Sequence, residues 1–122
     1  MVATLDPVHR DSVHAVCMAG STLFSGGRDH AVMAWDVDSM AMKRMTSNHK
    51  DWVLSLAAGI DQSNVFSGAR DGSVAMWEAS SGLFRGTFIA HRGSSVNALV
   101  ATPSGLFTGS NDRSIKLWRA SS

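Results

Sequence analysis

The stretch Leu23-Phe-Ser-Gly-Gly-Arg-Asp29 decides the fold, because it occurs three times. It returns as Val65-Phe-Ser-Gly-Ala-Arg-Asp71 and as Leu106-Phe-Thr-Gly-Ser-Asn-Asp112. Six residues after each Asp stands a Trp (Trp35, Trp77, Trp118), and the tryptophans are 42 and then 41 positions apart. A His precedes each block (His9, His49, His91), and four or five residues after each His comes a Val (Val13, Val53, Val96). Matching internal offsets at a fixed period define a repeat architecture. The copies fill the chain, at about residues 1–36, 37–78 and 79–119.

Each copy reads as short strands. Val13 to Met18 is apolar without a helical period, which predicts a buried strand, and Leu23 to Gly26 predicts a second. Arg28-Asp29-His30, Arg70-Asp71-Gly72 and Asn111-Asp112-Arg113 predict tight turns, since Asp, Asn and Gly tolerate left-handed backbone. Ala31 to Trp35 predicts a third strand, and Met40 to Met45 and Leu83 to Ile89 predict fourth strands. Gly20-Ser21, Asp61 to Asn64 and Pro103 to Gly105 are the expected loops between first and second strands. Short strands separated by regular turns indicate an all-β fold.

Composition narrows the function classes. The 122 residues carry 11 Lys and Arg against 10 Asp and Glu, a net charge of +1 that argues against electrostatic nucleic-acid binding. Hydrophobic residues make up 44%, too many for a disordered tail. Cys17 is the single cysteine, so no intrachain disulfide can form, and an intracellular setting is expected: the cytoplasm first, the nucleus as an alternative. No apolar run reaches the roughly 18 residues of a membrane span. The opening Met1 to Pro7 lacks the basic head of a signal peptide.

The His–Asp–Trp spacing and the Ser-Gly-x-x-Asp blocks resemble the WD40 family of β-propellers, over essentially the whole chain. The dipeptide that closes such repeats survives as Trp35-Asp36 and becomes Trp77-Glu78 and Trp118-Arg119. The resemblance implies three four-stranded antiparallel blades, set radially as a partial β-propeller. It also implies a non-catalytic scaffold or adaptor for protein–protein interaction. The alternatives are an accessory domain of an enzyme or a substrate adaptor that reads phosphopeptides.

His9, Ser25, Asp29 and Trp35 contain the residue types of a hydrolase triad. The set recurs as His49, Ser67, Asp71 and Trp77, and again as His91, Thr108, Asp112 and Trp118. A structural brace is expected in every copy, whereas an active site is needed once. In blades of the resembled family these positions form a buried hydrogen-bond chain from indole to hydroxyl to imidazole to carboxylate, and the donor and acceptor inventories allow it.

Propellers typically have four to eight blades, so three repeats are less than one ring. Val2-Ala-Thr-Leu5 reads as the outer strand of a preceding blade, and the chain ends just past a third strand. The missing blades are expected from a longer chain or from a second copy in a homodimer.

In the resembled family, partners contact the face that carries the loops between blades. The positions there are Ser12, His14, Trp52, Leu54, Ser95 and Asn97, which flank the first-strand valines, with Arg28, Arg70 and Asn111, which precede the brace carboxylates. Trp and Arg are enriched at interface hot spots, so Trp52 between Arg28 and Arg70 is a candidate patch for an acidic or phosphorylated segment. The competing expectation packs Trp52 against the neighbouring blade and pairs the arginines with Asp11 and Asp51. His9 and His14 do not amount to a metal-ligand set, the glycines do not lie in a phosphate-binding context, and no cofactor is expected.

Overall fold

The computed structural model describes residues 3–6 and 8–119. Eleven strands lie within that range, in three antiparallel sheets. The first contains β1 (Val13–Ala19), β2 (Thr22–Gly27), β3 (Val32–Asp36) and β4 (Ala41–Thr46) in chain order. The second contains β5 (Val53–Ala58), β6 (Asn64–Ala69), β7 (Ser73–Glu78) and β8 (Phe84–Ile89). The third contains β9 (Val96–Thr102), β10 (Gly105–Ser110) and β11 (Ile115–Trp118), three strands among the described residues.

The repeated turns explain the repeated register. The residue after each brace carboxylate takes a left-handed conformation: His30 at φ 68, Gly72 at φ 93 and Arg113 at φ 72. The carboxylate stabilises the turn by accepting the N–H two residues on, from Ala31 at 3.2 Å, Ser73 at 3.1 Å and Ser114 at 2.8 Å. Only glycine fits at position 72, because a β-carbon there would meet the His91 carbonyl oxygen at 1.8 Å. Each first strand also slips register near its start, between Val13 and Ala15, between Val53 and Ser55, and at the Ser110 pairing with Val96.

Two apolar seams join the sheets. Phe24, Val32 and Ala34 of the first sheet pack with Val53, Val65 and Trp77 of the second. Val74, with Phe66 and Phe88 of the second, packs with Val96, Leu106 and Trp118 of the third. First strand thus follows first strand around the molecule, β1 beside β5 and β5 beside β9, which is the radial blade arrangement.

Two expectations need correction. Ala3, Thr4 and Leu5 form no strand, and Val2 lies outside the described residues. A strand needs a ladder partner for its backbone groups, and Ala3 to Leu5 pair with no strand among the described residues. The fourth strand of the first blade starts at Ala41, because Met40 sits in the turn at φ 63.

Candidate functional site

The His, hydroxyl, Asp and Trp positions come together in all three blades, by two variants of one design. In the first blade, Trp35 Nε1 donates to Ser25 Oγ at 3.1 Å, Ser25 Oγ lies 2.7 Å from His9 Nε2, and His9 Nδ1 lies 2.9 Å from Asp29. An indole nitrogen only donates and a carboxylate only accepts, so one direction of donation satisfies every atom with a neutral imidazole: Trp35 to Ser25 to His9 to Asp29. Burial pushes the Asp29 carboxyl up, but the Arg10 N–H, the His9 ring and the Ala31 N–H outweigh it and hold the group below its ordinary range. The third blade repeats this path, with Trp118 donating to Thr108 Oγ1 at 3.0 Å and His91 Nδ1 at 2.8 Å from Asp112. The Ser114 hydroxyl, followed by His91, keeps Asp112 far below the usual carboxylate range.

The second blade inserts a residue that sequence inspection passed over. Trp77 donates to Ser67 Oγ at 2.8 Å and Ser67 Oγ lies 2.6 Å from His49 Nε2. His49 Nδ1 then faces Ser73 Oγ at 3.3 Å, and Ser73 donates to Asp71 Oδ1 at 2.7 Å. Ser114 holds the same place in the third blade, 3.2 Å from His91 Nδ1, while the first blade has Ala31 there. The available signal was the Ser two residues after Asp71 and Asp112.

All three sets match the residue types of a hydrolase triad, but the second and third lack its accessibility. Ser67 and Thr108 are wholly buried, and each hydroxyl oxygen already accepts an indole N–H. A nucleophile needs room for a substrate carbonyl, and these two enclosed oxygens have none. The arrangement fastens the loop before the first strand to the turn between the second and third.

A different group faces solvent at the first seam. Trp52 precedes β5, Arg28 ends the hairpin after β2, and Arg70 holds the same place after β6. Equivalent main-chain bonds fix the two arginines, Arg28 N–H to the Ser12 carbonyl at 2.9 Å and Arg70 N–H to the Trp52 carbonyl at 2.8 Å. The Trp52 ring therefore has the Arg28 Cζ 4.2 Å and the Arg70 Cζ 3.8 Å from its centroid. His14 stacks on it at 6.1 Å and accepts from Arg28 Nε at 3.1 Å. Arg70 pairs with Asp51 at 2.9 Å, whereas Arg28 has no acidic partner among the described residues.

The remaining face positions divide. Ser12 and Asn97 are exposed and Leu54 is half-buried; Asn97 donates to Asn111 across the third blade. Ser95, expected on this face, is 6% exposed and offers no contact surface. It occupies the offset of Trp52, but a small side chain lets the second seam close over it. Among the described residues no group of His, Cys, Asp or Glu is placed to hold a metal ion.

Comparison with known proteins agrees with this architecture. A family model described as "WD domain, G-beta repeat" matches residues 2–36, 42–78 and 82–119. Two solved structures superpose well. The WD40 repeats of RRP9 give a TM-score of 0.82 at 28% identity, covering 91% of this chain and 36% of that one. U3-55K gives 0.83 at 28% identity, covering 91% and 37%. Among curated relatives, the human and mouse kinesin-like protein KIF21B are each 40% identical over 53 residues. Human KIF21A is 38% identical over 52 residues, and each match spans 3% of the relative's length. The repeats, the blades and the family match together place this chain in the WD40 repeat family.

Proposed function

We propose that the chain is a non-catalytic interaction module whose Trp52 platform reads an acidic or phosphorylated segment of a partner protein. WD40 repeat domains are generally interaction scaffolds, and the braces here fasten each blade internally, with Ser67 and Thr108 wholly buried. The observation that carries the more specific reading is the Arg28–Trp52–Arg70 sandwich. It combines a rigid aromatic surface with two guanidiniums, one of them without an acidic partner among the described residues. Guanidinium groups bind carboxylate and phosphate by charge-assisted, often bidentate hydrogen bonds. Arg28 Nε is engaged with His14 and Arg70 Nε with Asp51, so recognition falls to the terminal amino groups of the two arginines.

An intracellular setting, in the cytoplasm or the nucleus, belongs to the same proposal. Cys17 is a half-buried free thiol, pushed up to about 11 by burial and therefore kept protonated.

The test is titration of the protein with paired phosphoserine and unphosphorylated forms of acidic peptides, followed by Trp fluorescence. The phosphorylated forms are expected to bind more tightly, with Trp52→Ala and Arg28→Ala each weakening binding at unchanged circular dichroism. Equal binding by both variants and the parent overturns the assignment.

A further inference from the structure

The first seam has two ends. Trp52 stands at the end where β5 begins, and the turn after β7 lies at the other. Near that turn β4 bulges: Met42 pairs with Trp35 and Arg44 with Ala34, which leaves Lys43 as the extra residue. A bulge re-aims side chains, and here both cations reach across the seam to the next blade. Lys43 Nζ donates to the Ser80 carbonyl at 3.2 Å and to the buried Thr22 hydroxyl at 2.7 Å. Arg44 Nε donates to the Ser81 carbonyl at 3.1 Å. The turn comes this close because Gly82 has no side chain: a β-carbon there would lie 3.0 Å from Ala34 Cβ and 3.3 Å from Arg44 Cβ.

These contacts fix the two cations without neutralising them. A carbonyl or hydroxyl oxygen needs a donor, not a charge. Neither Lys43 nor Arg44 has an acidic partner among the described residues. Glu78, the carboxylate of the same turn, is held by Arg85 at 2.7 Å and by the Ser80 and Ser81 hydroxyls. Asp36 accepts the Asp38 N–H in its own turn at 3.0 Å. Both cationic side chains are exposed, and the two terminal amino groups of Arg44 stay free for a ligand. The corner also occurs once. The second blade has the same bulge, but there the extra residue is Arg85, paired with Glu78, and Gly86 stands in the place of Arg44. All eight strands of the two blades that build the corner lie within the described residues.

We propose that this corner docks an extended, carboxylate-rich segment of a partner protein. Arg44 offers a fork of donors to one carboxylate, and the Lys43 ammonium a point charge to a second. Carboxylates on alternate residues of an extended chain share a side and so reach both. The bonds that already hold the cations lower the ordering cost of binding. Leu83, which follows Gly82 and is exposed, gives the segment an apolar neighbour. β4 is an outermost strand, but its bulge blunts that edge against strand addition, so side chains do the reading.

The test is a titration with hexaglutamate at low ionic strength, read at the backbone amide resonances of Ser80 and Ser81. The readout is local, so binding at Trp52, followed at its own amide, does not enter. Saturable shifts are expected at both serines. Lys43→Gln with Arg44→Gln keeps a donor at each place and removes both charges. That variant is expected to bind about fivefold or more weakly at unchanged far-ultraviolet circular dichroism. Arg44→Gln alone leaves the Lys43 bond to Thr22 in place and is expected to weaken binding by a smaller factor, which keeps the test decisive if the double variant unfolds. Lys50→Gln with Arg92→Gln removes the same charge elsewhere and is expected to change nothing at the two serines. Absent shifts, undiminished binding by Arg44→Gln, or an equal loss in the Lys50 and Arg92 variant overturns the proposal.

Discussion

Arg70 lies against Trp52 and is tied to Asp51 at the same time: its Cζ is 3.8 Å from the ring centroid and its Nε donates to Asp51 Oδ1 at 2.9 Å. Asp51 also accepts the Trp52 backbone N–H at 2.7 Å. The carboxylate therefore orients the platform and competes with any anion for Arg70. Asp51→Asn keeps an oxygen for the Trp52 N–H and removes the competing charge. Exposed pairs of this kind are worth about 0–1 kcal/mol, so anionic peptides are expected to bind up to about fivefold more tightly to this variant. The gain is expected to shrink with added salt, which a titration at two ionic strengths would show.

Gly68 is fixed by what faces it. A β-carbon there would meet Ser55 Oγ at 2.5 Å and Val96 Cγ1 at 2.6 Å, so Gly68→Ala must push two blades apart. Overpacking of this kind typically costs about 1–3 kcal/mol. The urea midpoint of Gly68→Ala is expected to fall accordingly. The comparison is Gly20→Asn: a β-carbon at Gly20 would meet nothing, and its φ of +58 is one that Asn tolerates, so that midpoint should move little.

The periodic features were legible in the sequence, because a repeat writes each structural demand several times. The His, Asp and Trp offsets located the braces, and the same offsets placed Trp52 between Arg28 and Arg70, which adjoin across the seam. Features resting on one copy, or on a side chain's size, were harder to read. Ser73 and Ser114 escaped notice because Ala31 breaks the pattern in the first copy. Ser95 shares the offset of Trp52, yet burial of its small side chain removed it from the surface. Ala3 to Leu5 had strand-forming residues but no ladder to join, and strand propensity depends on a partner.

The two brace variants should respond differently to loss of a hydroxyl. Ser73 relays between His49 and Asp71, and the first blade shows that alanine at this place permits direct contact, since His9 reaches Asp29 at 2.9 Å beside Ala31. Ser73→Ala is expected to cost under about 1 kcal/mol, the net worth of one ordinary hydrogen bond. Ser67→Ala strands the buried Trp77 N–H and His49 Nε2 together, and is expected to cost about 1–3 kcal/mol. Equal losses in chemical denaturation would contradict this ordering.

His49 makes stability depend on pH in a defined window. Burial is the main cause that takes its pKa down from 6.5 to about 4; Asp71 opposes this and His30 adds to it. The ring is enclosed by Ser67, Ser73 and Trp77, and its role as acceptor for Ser67 requires it neutral. Above pH 6.5 both folded and unfolded chains hold it neutral, and its effect is constant. Between pH 6.5 and 4 the unfolded chain takes up the proton first, so the fold loses up to about 1.4 kcal/mol per pH unit. Asp29 and Asp112, both held below their ordinary 3.8, add their loss only at lower pH. Urea midpoints at intervals from pH 7 to 4 are expected to fall for the parent and to flatten in His49→Gln, which keeps polar atoms without a titrating ring. An equally steep fall in that variant would assign the dependence to another group.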